Sequence, residues 1–117
     1  MHLKNWSLIY RGKGDKPALA PVYDVLSTVP YLPADAMALS LAGERSFKAM
    51  NAQRWKVFAN RARLPEAAVM KAVTDTVERV NQFWWSLPDR AVIPEKVLER
   101  VNAHIKLMTP ILGTCAD

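Results

Sequence analysis

Two oxygen-bearing side chains in the N-terminal part of this sequence are its strongest candidates for chemistry. Asn5 carries an amide oxygen and Asp24 a carboxylate, and both are hard oxygen ligands of the kind that Mg²⁺ prefers. A divalent ion held by such side chains, with phosphate oxygens at its other positions, is typical of phosphoryl-transfer enzymes. The alternative is structural, with Asn5 capping a turn and Asp24 accepting backbone hydrogen bonds.

A β-hairpin is predicted between these two residues. Residues 6–10 (WSLIY) are aromatic and β-branched, which favours a strand. The following RGKGDKP segment has the glycines and proline of a turn, and ALAP supplies a short second strand that Pro21 ends. Antiparallel strands bring the residue before the first strand and the residue after the second to the same end. We therefore expect Asn5 and Asp24 to lie close together.

The sequence after residue 50 has the apolar period of helices. Asn51 can cap a first helix, Pro65 and Glu66 suit the first turn of a second, and Pro94 and Glu95 begin a third. Pro110 should stop the third helix. The apolar stripes of the three helices comprise Trp55, Phe58, Ala59 and Ala62; Val69, Val73, Val77 (or Thr76), Val80 and Trp84; and Val97, Val101, Ile105 and Met108. We expect these stripes to form the core of a small bundle.

Composition places further bounds on the protein. A length of 117 residues suits one domain, and no stretch approaches the roughly 20 apolar residues of a membrane span. A single cysteine, Cys115, excludes an intramolecular disulfide and favours a cytoplasmic location. The net charge of +5 would suit polyanionic partners, although the sixteen basic residues are dispersed along the chain.

Three blocks of sequence, in order, resemble the HipA-like serine/threonine kinases, the toxin components of bacterial toxin–antitoxin pairs. The blocks are MHLKNWSLIY, LAPVYDVLSTVPY and MALSLAGE, and the resemblance is strong over residues 1 to about 45. The family's catalytic loop reads Asp-x-His-x-Lys-Asn, and an Asp follows later in a Tyr-Asp pair. The resemblance implies that Asn5 and Asp24 bind Mg²⁺ and that His2 and Lys4 are loop residues beside the transferred phosphate.

The resemblance also implies parts that these 117 residues do not contain. The family's catalytic base would stand immediately before Met1, and the glycine-rich phosphate loop and the lobe that binds ATP are missing. We therefore expect a C-terminal fragment of a kinase lobe, inactive by itself, with a hairpin and metal-loop region at residues 1–45 and a helical bundle at 51–110. An upstream N-terminal kinase lobe would be one partner.

Two other interpretations remain open. The first is a non-enzymatic binding module, since the family binds a helix-turn-helix antitoxin and, through it, DNA. Basic residues of the helical region would then make the contacts, and those considered are Arg54, Lys56, Arg61, Arg63 and Lys71. The second is a truncated product without a function of its own. His104 has no partner at metal-ligand spacing, so no metal site is expected there.

Overall fold

The computed structural model describes residues 3–32 and 36–113. Within them the chain folds as a two-stranded antiparallel hairpin followed by three α-helices, which confirms the predicted mainly α architecture. His2 and Cys115 lie outside the described residues. None of the described helices combines the length and the hydrophobicity needed to cross a bilayer.

The hairpin is shorter than the sequence predicts. Strand β1 is Leu8–Ile9 and strand β2 is Ala18–Leu19. Leu8 lies opposite Leu19, Ile9 lies opposite Ala18, and the Ala20 amide extends the pairing by donating to the Ser7 carbonyl. All four strand residues are exposed. Two isolated strands are marginally stable in water, so the contacts beyond the strand ends become important.

Helix α1 is Ala52–Arg61, and both of its ends are capped. The Asn51 side chain accepts from the Arg54 amide at 3.0 Å, which confirms the predicted N-cap. At the other end the Leu64 amide donates to the Ala59 carbonyl and the Arg63 amide to Asn60. These two bonds form a Schellman motif, whose left-handed position is usually occupied by glycine. Arg63 occupies it here, with φ of 54°.

Helices α2 and α3 are long and are joined by two short 3₁₀ turns. Helix α2 is Glu66–Phe83 and α3 is Glu95–Gly113, with the turns at Trp84–Ser86 and Pro88–Val92. The prediction that Pro110 ends the third helix is wrong, since α3 continues through it. Proline lacks an amide hydrogen and so forfeits one bond to the preceding turn. With only three residues left in α3, the helix continues to its end despite this loss.

Helix α2 is the central element and contacts both α1 and α3. Asn81 donates to Thr109 at 3.2 Å, and the Trp84 indole donates to Asn102 at 2.8 Å. Trp85 is 40% exposed, and the Arg90 guanidinium lies 5.3 Å from its ring centroid and 5.4 Å from that of Trp84. Polar side-chain bonds therefore connect α3 to the end of α2 and the turn after it, and the cation–aromatic contacts of Arg90 join the two connecting turns to each other.

The apolar stripes do not form the closed core that their periodicity predicts. Only Met50, Ala59 and Val73 are buried among the hydrophobic side chains described. The radius of gyration is 16.4 Å, against about 13 Å for a compact domain of this length. Both α1 and α3 pack on α2, but their apolar faces line an open groove along it. The periodicity identified the inward faces correctly, whereas burial depends on an additional layer of structure that periodicity cannot predict.

Among the described residues, the contacts that connect the N-terminal region to the helices include two arginine bonds and one aromatic contact. The Arg100 guanidinium on α3 donates to the carbonyl of Pro30, a buried residue in the segment after the hairpin. Arg54 on α1 donates to the Ala42 carbonyl at 3.2 Å. Phe47 meets the His104 ring on α3 edge to face, with centroids 5.0 Å apart. Two of these contacts use arginines, so guanidinium-to-carbonyl bonds hold much of this junction.

Residues 41–44 form a tight turn. Leu41 and Glu44 exchange backbone hydrogen bonds at 2.8 and 3.0 Å. Ala42 and Gly43 between them have φ of 52° and 86°. Two positive φ angles are characteristic of a type I′ turn. The Glu44 carboxylate accepts from the amides of Ser46 and Arg45, and these bonds lower the pKa of Glu44.

Replacing Arg63 by glycine should stabilise the protein. The left-handed conformation costs a residue with a Cβ about 1 kcal/mol, and Gly adopts it without that strain. We expect Arg63→Gly to raise the free energy of unfolding by about 1 kcal/mol in urea titrations. Arg79→Gly is the matched control because Arg79 is exposed within α2. It should lower the free energy of unfolding by about 1 kcal/mol, and equal effects of the two variants would contradict the assignment.

The stability of the fold should fall in mildly acidic solution because of His104. Burial against its neighbours lowers the pKa of His104 below its ordinary value of 6.5. In acid, the unfolded chain therefore binds a proton at His104 more readily than the folded chain does. The free energy of unfolding keeps its full value above about pH 6.5 and decreases below it. Urea unfolding at pH 7.5 and pH 5.5 should show this loss. His104→Leu should flatten the difference, and an unchanged pH dependence would exclude His104 as its source.

Candidate metal-binding site

The structure brings the two predicted ligands into direct contact. The Asn5 amide nitrogen Nδ2 donates to Oδ2 of Asp24 at 3.0 Å, across nineteen positions of sequence. Asn5 ends a 3₁₀ turn, Leu3–Asn5, that precedes β1, and Asp24 follows β2. The proximity that the hairpin predicted is therefore present. Whether the pair binds a metal ion stays a prediction.

A second hydrogen bond runs parallel to the first. The Tyr23 hydroxyl donates to the Lys4 carbonyl at 2.5 Å, also across nineteen positions. Continuing the strand register outward from the Leu8–Leu19 pair places Lys4 opposite Tyr23. The same register places Asn5 opposite Val22, so the bond from Asn5 to Asp24 reaches diagonally across the hairpin. Sequence reasoning did not identify Tyr23, although its position beside Asp24 on the returning strand was a usable signal.

The backbone of Asp24 contributes to the geometry. Its φ is 54°, in the left-handed region that most residues with a Cβ avoid. Asp and Asn are the residues other than glycine that adopt this conformation most readily. The left-handed residue turns the chain sharply after β2, and its carboxylate is the group that meets Asn5. Position 24 thus requires both a particular conformation and an oxygen-bearing side chain.

The two residues of the pair differ in burial and in charge. Asn5 is 2% exposed, the one buried polar residue in the described part of the chain, whereas Asp24 is exposed. A neutral amide tolerates burial far better than a carboxylate does. The carboxylate faces water, where a hydrated cation and its remaining ligands could reach it. The pair as a whole carries one negative charge.

Of the other two predicted site residues, Lys4 belongs to the described part of the chain and His2 does not. Lys4 is exposed, and its carbonyl serves the Tyr23 bond. His2 is outside the described residues, so its predicted place beside phosphate stays a prediction. Residues 3–32 and 36–113 contain no group of three His, Cys, Asp or Glu side chains able to hold a metal ion. A site at Asn5 and Asp24 would therefore take its other ligands from water, from phosphate or from other protein segments.

The basic residues considered for a DNA or antitoxin contact are mostly engaged. Lys56 lies 3.4 Å from Glu66, and Lys71 lies 2.7 Å from Asp75. Arg54 donates to a carbonyl in the 41–44 turn. Arg61 and Arg63 are exposed at the end of α1. A basic contact surface stays a prediction.

Comparison with protein families gives a match that covers most of the chain. Residues 1–84 match the model of the HipA-like C-terminal domain. No solved structure matches the sequence.

Two curated relatives come from Sinorhizobium fredii. The chain is 36% identical over 105 residues to the protein named "Putative kinase Y4dM" and 35% identical over 78 residues to "Putative kinase Y4mE". These matches cover 89% and 66% of the chain. They cover 25% of Y4dM and 18% of Y4mE, so the chain spans a quarter or less of each relative's length.

The polar pair should be sensitive to a second negative charge. In Asn5→Asp, two carboxylates would face each other at the site of a 3.0 Å contact, one of them buried. We expect the free energy of unfolding at pH 7 to fall by about 2 kcal/mol. When two carboxylates occupy one site, the pKa of one of them is raised. The loss of unfolding free energy should therefore be smaller at pH 4, where that carboxylate is protonated.

The exchanged double variant Asn5→Asp/Asp24→Asn is the control for this prediction. It restores one amide and one carboxylate, so it should recover part of the lost stability if the two side chains interact directly. Equal unfolding midpoints for the single and double variants would show that the contact does not contribute.

Proposed function

The chain belongs to the HipA-like C-terminal domain family, and from this premise we propose that it is the magnesium-binding part of a serine/threonine kinase. Asn5 and Asp24 would hold the ion, and ATP would be the phosphoryl donor. The names of both relatives support the kinase assignment. In this proposal the polypeptide belongs to the toxin component of a toxin–antitoxin pair, as the resemblance of its sequence blocks implies.

The observation that carries the proposal is the contact between the two oxygen-bearing side chains. Adjacent ligand oxygens on an octahedral Mg²⁺ ion, with bonds of about 2.1 Å, lie about 3.0 Å apart. The distance between Asn5 Nδ2 and Asp24 Oδ2 is 3.0 Å. The oxygen and nitrogen of an amide are nearly identical in size and exchange places by a half-turn of the side chain. The donor set and its spacing therefore fit a magnesium ion.

Each residue of the site would have a distinct role. A bound Mg²⁺ ion would neutralise charge on the phosphate groups of ATP. Asp24 supplies the negative charge that attracts the ion, and Asn5 supplies a neutral ligand from a buried position. Tyr23 acts as a positioning residue because its hydroxyl fixes the backbone of Lys4, next to Asn5. Lys4 and His2 would contribute positive charge beside the transferred phosphate.

We further propose that these 117 residues do not transfer phosphate unaided. They span a quarter of Y4dM. Their four glycines, Gly12, Gly14, Gly43 and Gly113, form no phosphate-binding array in the sequence. Phosphoryl transfer depends mostly on positioning and charge stabilisation, so a metal site without a nucleotide-binding lobe should be inert. The lobe would come from an upstream polypeptide.

The proposal predicts weak but specific magnesium binding. A site with a single carboxylate should bind Mg²⁺ with a Kd on the order of 1 mM. Titration of the ¹⁵N-labelled chain with MgCl₂ should shift the NMR signals of Asn5 and Asp24. Asp24→Asn should weaken binding at least about tenfold because it removes the site's negative charge.

Asp15→Asn is the charge-matched control for this titration, since Asp15 lies in the exposed hairpin turn. It should leave the Mg²⁺ affinity unchanged, and equal losses in the two variants would overturn the site assignment. The same preparation should hydrolyse no ATP. Turnover that Asp24→Ala abolishes would instead show a complete active site within the 117 residues.

A further inference from the structure

A long apolar groove runs along α2 between α1 and α3. Its first hollow, of about 340 Å³, lies between Trp55 and Phe58 of α1, Val69 and Val73 of α2, and Leu112 of α3. A second hollow of about 270 Å³ continues it toward Val80 and His104. The two hollows share Thr76, Val77 and Leu112, so they form one surface. We call this surface, from Val69 to Val80, the α2 groove.

The chain exposes more total surface than a compact monomer of its mass does. The 117 residues expose 8753 Å². A compact monomer of 13.1 kDa would expose about 6,400 Å². The difference, roughly 2,400 Å², is well above the ~800 Å² that each partner contributes to a standard interface. The excess is spread over the helices and the exposed hairpin, and it is large enough to accommodate a partner of substantial size.

The shape of the groove favours a helix as the occupant. From Val69 to Val80 the groove extends for about 17 Å, or three helical turns. Ala72 and Thr76 form an exposed floor of small side chains that permits close approach. A second copy of the chain fits less well, because a two-fold contact would place one concave surface against another.

The groove wall also contains a hydrogen-bond donor that is unsatisfied within the described residues. The indole nitrogen Nε1 of Trp55 is buried and has no hydrogen-bond acceptor among the described residues. The Trp55 ring is held edge to face against Phe58, with centroids 6.0 Å apart. The nitrogen is inaccessible to solvent in the free chain, so the Trp55 ring must turn before an oxygen of an occupant can reach it. A buried unpaired donor is costly, so that hydrogen bond would be a gain. The chain's charge of +5 favours a carboxylate as that oxygen.

We propose that the α2 groove is the docking surface for an amphipathic helix from the additional polypeptide that the longer relatives carry. The helix has apolar residues along three turns and an oxygen acceptor that meets Trp55. In a protein such as Y4dM, this helix would come from the three quarters of the polypeptide that lie outside the matched region. The inference rests on family membership and is independent of the metal site, so either can fail without the other.

The test compares the 117-residue chain with a chimera in which it replaces the matched 105 residues of Y4dM. Thr76→Arg places a long cation on the groove floor, where the isolated chain is open to water. It should change the thermal midpoint of the isolated chain by less than about 3 °C and lower that of the chimera by at least about 5 °C. Gln82→Arg is the matched control because Gln82 is exposed on the opposite face of α2, and it should have little effect in both.

Trp55→Phe provides a second comparison, in which the stability of the isolated chain and that of the chimera should respond differently. It removes the unpaired donor, so it should leave the isolated chain as stable or more stable, yet destabilise the chimera by removing the new hydrogen bond. Equal effects of Thr76→Arg in the two proteins would overturn the proposal, as would a chimera that does not fold. A concentration-dependent dimer of the isolated chain that Thr76→Arg dissociates, measured by sedimentation, would instead assign the groove to a second copy.

Discussion

A very short hairpin brings together the two residues of the candidate site. Pairing of Leu8 with Leu19 places Lys4 opposite Tyr23, and the left-handed backbone at Asp24 then turns the chain where its carboxylate meets Asn5. The strands themselves contribute little stability. The side-chain bonds from Asn5 and Tyr23 therefore help to hold the register that positions them, so site and hairpin stabilise each other.

Much of this arrangement could be predicted from sequence because it depends on local signals. Strand propensity, turn residues and the antiparallel return were enough to bring Asn5 and Asp24 together, and the cap at Asn51 followed from its side chain. Other features depended on context. Arg63 adopts a conformation that its side chain disfavours, and α3 passes through Pro110. Neither could be recognised from residue preferences alone, because the surrounding structure overrides them.

The apolar stripes illustrate a different limit. Periodicity shows which face of a helix turns away from water, but not what covers that face. Val73 is buried, whereas Thr76, one turn further along α2, remains exposed. Covering such a face requires a third layer, and the described part of the chain leaves the α2 groove open. The proposed metal site and the proposed docking of a helix in the α2 groove have one requirement in common, which is additional polypeptide of the kind that the longer relatives carry.

The left-handed backbone at Asp24 also restricts how this position can evolve. Glycine fits the conformation but carries no oxygen, and a longer or branched side chain adds strain. Asparagine keeps the shape and loses only the charge, and a single nucleotide change separates its codons from those of aspartate. Lineages could thus silence the site by one mutation and restore it by the reverse change, with the fold preserved throughout.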